Sequence, residues 1–129
     1  MLCFDDRFLR LYDQLLSTNP GSCDRMQSTI LHNKAVGGAP ASGHLLDLSN
    51  GVKCCAADLQ FDSIEDLKEA AKEALVLGFD GVELDLTNNH LHVDTKSRPH
   101  PWQVVHLGAG KELPLFPWLA ANVAVTGDV

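Results

Sequence analysis

At 129 residues, with 45% hydrophobic and 21% charged residues, the chain has the size and composition of one soluble globular domain that can bury a core without staples. A formal net charge of −7 argues against nucleic acid as a main partner, because phosphate binding needs a basic surface. The start, Met-Leu-Cys-Phe-Asp-Asp-Arg, has no basic residues leading into an apolar run, and no stretch approaches the ~20 apolar residues of a membrane span. Neither a signal peptide nor a membrane span is therefore expected. The four cysteines, Cys3, Cys23, Cys54 and Cys55, include no Cys-x-x-Cys pair, so reduced thiols and synthesis in the cytoplasm are the expectation.

Phe4, Phe8, Leu11, Tyr12, Leu15 and Leu16 recur at helical spacing, which predicts a helix over 4–17 that Asn19-Pro20-Gly21 stops. Ser22–Arg25 reads as a short strand, and on the residues alone Arg25 is a surface cation. The stretch Val36-Gly-Gly-Ala-Pro-Ala-Ser-Gly-His44 is dense in breakers and predicts an ordered loop. It lacks the Gly-Lys-Ser/Thr and the following helix of a phosphate loop. Ser49-Asn50-Gly51 signals a turn, and Cys54–Phe61 reads as a buried strand carrying one acid, Asp58. Over 62–77, Ile64, Leu67, Ala71, Ala74 and Leu75 form an apolar stripe behind an Asp62 or Ser63 cap, and Gly78 closes the helix. Val82, Leu84 and Leu86 then alternate into a tight turn at Thr87-Asn88-Asn89, and a second strand follows over His90–Asp94. Beyond Pro99-His100-Pro101-Trp102 the pattern fades. The apolar tail Trp118–Val125 reads as an edge strand, a packing segment or a partner contact. The expected architecture is α+β, a small, largely antiparallel sheet with helices on one side and His and Asp residues near the open face.

In a strand, residues two apart share a face, so His90, His92 and Asp94 point the same way. With His44 and Asp58 they gather imidazoles and carboxylates from three segments. Two imidazoles and one carboxylate suit a catalytic zinc that keeps its fourth position for water. The alternative is a solvent-facing strand with an ordinary salt-bridged aspartate.

The runs Asn33-Lys-Ala-Val-Gly-Gly-Ala-Pro-Ala-Ser-Gly-His44, Ala56-Ala57-Asp58-Leu59 and Phe79-Asp-Gly-Val-Glu83 followed by His90-Leu-His92-Val-Asp-Thr95 resemble the zinc D-Ala-D-Ala carboxypeptidase family, peptidoglycan peptidases of the hedgehog/DD-peptidase fold. The likeness spans about residues 5–102 of a single 1–129 domain, with 103–129 as a C-terminal extension. It implies zinc on His44, Asp58 and His92, a catalytic histidine at His90, and Arg25 binding substrate or the oxyanion. Ser42, in Ser42-Gly43-His44, falls in the substrate-binding motif. The implied substrate is a peptidoglycan stem peptide, met at the cell wall after release of the phage type, and no oligomeric state is implied.

Three departures bear on this expectation. Thirteen residues separate His44 from Asp58, a longer stretch than the family's, which makes Asp47 a rival ligand. Asn89 stands where related branches carry an acidic base, so the base falls to His90 or to an acid elsewhere. Cys54, four before Asp58, is a possible thiolate donor. Two functions follow as expectations: a zinc metallopeptidase hydrolysing a D-amino-acid-containing peptide bond, or a non-catalytic zinc-binding or structural module of the same fold in a phage or cell-envelope assembly.

Overall fold

A computed structural model describes residues 6–25 and 55–122, with the backbone alone at 22–25 and 122. Ser42, His44, Asp47 and Cys54 lie outside the described residues, as do the glycine-rich loop and the end of the apolar tail. The elements in chain order are α1 (Asp6–Thr18), β1 (Ser22–Arg25), β2 (Ala56–Gln60), α2 (Ile64–Leu77), β3 (Gly81–Asp85), β4 (His90–Asp94), β5 (Trp102–Gly108), β6 (Lys111–Pro114) and α3 (Leu115–Asn122). The architecture is α+β, as expected. Among the described residues no helix is long and apolar enough to cross a membrane.

The two longer helices form where the periodicity places them. In α1, Phe8 and Leu15 are fully buried, and Phe8 meets Phe79 edge-on with ring centroids 6.2 Å apart. Arg7 ties this helix to the start of β3, donating to Asp80 at 2.5 Å and to the Gly78 carbonyl at 2.9 Å. In α2, the Ser63 hydroxyl accepts the Asp66 N–H at 3.0 Å, so one orphan donor of the first turn is satisfied. Gly78 closes the helix in the left-handed region at φ 90.

The strands form one six-stranded sheet in the order β1-β2-β4-β3-β5-β6. Four neighbouring pairs are antiparallel, and β3 and β5 run parallel, which makes the sheet mixed. Ala57, Leu59, Val82, Leu84, Leu91, Val93 and Val105 share one face and join Leu67, Ala70, Ala71, Ala74, Leu115 and Leu119 from the helices in the core. Period two then commits Asp58, Glu83, His90, His92, Asp94 and His106 to the opposite face.

The region after Trp102 is more ordered than the sequence suggests. It supplies β5, β6 and α3, so the sheet continues well past residue 102. Strand β5 carries Val104 and Val105 side by side and buries only Val105 fully, while β6 is exposed throughout, so neither shows a clean alternation. Trp118 belongs to a helix whose Leu115 and Leu119 pack in the core, which makes this part of the tail a packing segment. Pro117 sits in the first turn, where its missing N–H costs nothing.

Two glycines give separable tests of this frame. Nothing lies within 4 Å of a Cβ built at Gly78, so Gly78→Ala pays only for the left-handed backbone, about 1 kcal/mol. A Cβ at Gly81 would press into the Asp94 carboxyl, which is itself held on several sides, so Gly81→Ala should cost about 1–3 kcal/mol. Urea denaturation of both variants should rank Gly81→Ala as the more damaging; the reverse order would mean that the Asp94 carboxyl is free to move.

Candidate functional site

The cross-strand register arranges the polar face in rows. Asp58 on β2 lies opposite His92 on β4, and His92 lies opposite Glu83 on β3. The next row holds Gln60, His90, Asp85 and His106, and the row on the other side holds Ala56, Asp94, Gly81 and Trp102. Directly opposite residues have Cβ atoms about 4.5–5.5 Å apart, so side chains in a row are within reach of one another.

His92 is the centre of the first row. Its Nδ1 is 3.0 Å from Asp58 Oδ1, and its Nε2 is 2.7 Å from Asp94 Oδ2. Trp102 closes one flank of the ring edge-on at 5.9 Å. Burial works against a charge on this imidazole, but the hydrogen bonds and charges of Asp58 and Asp94 outweigh it and push the pKa up to about 9.

Asp94 is the most enclosed ionic group of the face, with 1% of its side chain exposed. Arg98 donates to it twice, at 2.5 Å to Oδ1 and 2.7 Å to Oδ2, and the Lys96 N–H adds a third bond at 3.0 Å. Burial raises the Asp94 pKa, and the bonds from Arg98 and His92 overcome this and hold it well below the ordinary carboxylate range. Arg98 also stacks over Trp102 at 5.5 Å, so the bidentate pair has a rigid floor. The result is a continuous chain Asp58–His92–Asp94–Arg98.

Asp58 and His92, two of the three expected zinc donors, are thus brought together; His44 and Ser42 are outside the described residues. His90 shares the face but turns toward Asp85, 3.9 Å away, and does not join the chain. Asp85 is occupied by the turn, accepting from Thr87 N at 2.9 Å and Asn88 N at 3.2 Å and from both their side chains. Burial raises its pKa and these bonds more than reverse the effect, so it stays ionised. Asn89 sits in the turn at φ 53, a conformation asparagine tolerates. The backbone of Arg25 pairs with Asp58, which places that residue at the edge of the row.

Sequence reasoning missed Arg98, Glu83, His106 and Glu112. Arg98 follows Asp94 by four residues in a loop without periodicity, where nothing marks it as the partner. His106 contacts Glu83 and lies 3.0 Å from Glu112, but these three come from strands of which two were not read. Comparison with protein-family models, with curated proteins and with solved structures finds no match.

The charge pattern fixes a pH dependence for the metal-free protein. Because the His92 pKa is raised in the fold, its pairing stabilises fully below the ordinary value of 6.5 and is lost as pH climbs through about 9. Because the Asp94 pKa is lowered, its contribution is present above 3.8 and fades as pH falls toward the folded value. Stability against urea should therefore be flat between pH 3.8 and 6.5 and fall on both sides. Ring nitrogen NMR should place the His92 midpoint near 9 and move it toward 6.5 in Asp58→Asn; a native midpoint at 6.5 would refute the pairing.

Proposed function

We propose that the chain is a zinc metallopeptidase of the hedgehog/DD-peptidase type, hydrolysing a D-amino-acid-containing peptide bond of peptidoglycan. The observation that carries this reading is the 3.0 Å approach of Asp58 Oδ1 to His92 Nδ1 on adjacent strands of the open face. Two donors of a tetrahedral zinc with bonds of about 2.0–2.1 Å stand roughly 3.3 Å apart, so these atoms need hardly move to share one ion. The far side of His92 fits as well. A ligating histidine ordinarily gives its other N–H to a carboxylate, and Asp94 takes that place with Arg98 behind it. His44 is the third donor in this reading.

When bound, zinc lowers the pKa of a water molecule and polarises the scissile carbonyl. The residues of the chain then have distinct tasks. Asp94 holds the His92 ring in one orientation, and Trp102 keeps water from one side of it. Arg25, at the edge of the row, binds substrate or the developing oxyanion, and Ser42 contributes to substrate binding. Asn89 cannot accept a proton, so His90 is the base in this reading. It lies one row from His92 with only a long approach to Asp85.

A second reading, a non-catalytic module of the same fold, is favoured by one feature. The Asp58–His92–Asp94–Arg98 chain engages both His92 ring nitrogens and both Asp94 oxygens, as a purely structural ion chain would.

Elemental mass spectrometry on the native protein, joined to a peptidoglycan release assay, separates the two. About one zinc per chain is expected, lost in His44→Ala, Asp58→Ala and His92→Ala and kept in Asp47→Ala, with release of peptide products from purified peptidoglycan. Zinc-loaded protein that releases nothing would leave the module reading; folded protein that takes up no zinc would end the metallopeptidase reading.

A further inference from the structure

A second group on the open face has the composition of a cation site and adjoins the Asp58–His92 pair, since Glu83 is opposite His92 in the β3–β4 register. Glu83 on β3, His106 on β5 and Glu112 on β6 each offer one donor atom, and the three atoms lie within 4.8 Å of one another. His106 Nε2 contacts Glu83 Oε2 and lies 3.0 Å from Glu112 Oε2. That nitrogen carries at most one hydrogen, which can point along only one of the two directions. At most one positive charge thus faces two carboxylates, and among the described residues His106 is the only ion-pair partner recorded for either glutamate.

We propose that Glu83, His106 and Glu112 form a divalent-cation site on the open face, independent of the zinc reading above. The donors are presented by strands, not by a loose loop. His106 and Glu112 are opposite each other in the β5–β6 register, and Glu83 lies diagonally across the parallel β3–β5 pair. The hairpin that returns Glu112 to His106 turns through Gly108, Ala109 and Gly110, all at positive φ. Two carboxylate oxygens and one imidazole nitrogen suit a borderline or hard first-row ion such as Zn2+ or Mn2+, with water in the remaining positions. Three donors are too few for a Ca2+ cage, and the set contains no sulfur for a soft ion. Glu83 and His106 are partly buried and Glu112 is exposed, so an ion enters from the Glu112 side.

The test uses the full chain and Mn2+ alone, following the broadening of the His106 ring signals separately from those of His92. His106 should broaden in native protein, and equally in Asp58→Asn, which removes a donor of the other pair. Glu112→Gln, on an exposed edge strand where folding is not at risk, should weaken binding about tenfold or more, and Glu83→Gln should do the same. An unbroadened His106, or unchanged binding in both glutamine variants, would overturn the proposal. Loss of the effect in Asp58→Asn would also overturn it, by assigning the ion to the Asp58–His92 pair. Because the readout is His106 itself, absence of zinc or peptidase activity at Asp58 and His92 leaves this result standing or falling alone.

Discussion

A carboxylate buried on the polar side of the sheet is the constraint on which most of the described structure depends. Asp94 has 1% of its side chain exposed and is ionised, so water cannot supply its hydrogen bonds. Arg98, the Lys96 N–H and His92 supply them instead. Each of these partners fixes something beyond the charge. The Arg98 and Lys96 bonds fold the chain back as it leaves β4, and Trp102, stacked on Arg98, starts β5. The parallel return of β5 beside β3 follows from that reversal. Gly81, opposite Asp94, is the one residue whose lack of a side chain leaves room for the carboxyl.

The same carboxylate orients His92, and the sheet register then decides what His92 can meet. A one-residue slip of β2 against β4 would send Asp58 into the apolar core and bring Ala57 or Leu59 to the polar face. The apolar face prevents that slip, since Ala57, Leu59, Leu91 and Val93 are all fully buried against the helices. Core packing on one side therefore holds the ionic row in register on the other. The described helices support the site from the opposite face of the sheet.

How much of this was readable depended on the kind of signal each part carries. The helices over 62–77 and 4–17 and the strands around Val82 and His92 declare themselves by period, because each has one wet and one dry face. The pairing of Asp58 with His92 was readable from short motifs on separate segments. The partners of Asp94 were not, because Arg98 reaches back from a loop, where sequence distance says nothing about direction. Strands β5 and β6 were missed for a different reason. One is at the flank of the sheet with mixed burial and the other is exposed along its length, so tertiary pairing, not alternation, makes them strands. With them went His106 and Glu112, and with those the group that Glu83 joins.

In the zinc reading proposed above, the ion chain and the metal would make opposite demands on one atom. In the metal-free protein His92 keeps protons on both nitrogens, each facing a carboxylate. A metal there would need the lone pair of Nδ1, so its binding would expel that proton and compete with the pairing to Asp58. The competition would be less severe than the raised pKa suggests. In that reading the carboxylate that stabilises the proton at Nδ1 would itself be a donor to the ion, so Asp58 would exchange one cationic partner for another. At Nε2 the bond to Asp94 would be kept, with Arg98 and Lys96 holding the carboxylate in place. A site that switched one partner and preserved the other would keep its ring orientation in both states, which is the preorganisation that ligand sites on rigid strands provide.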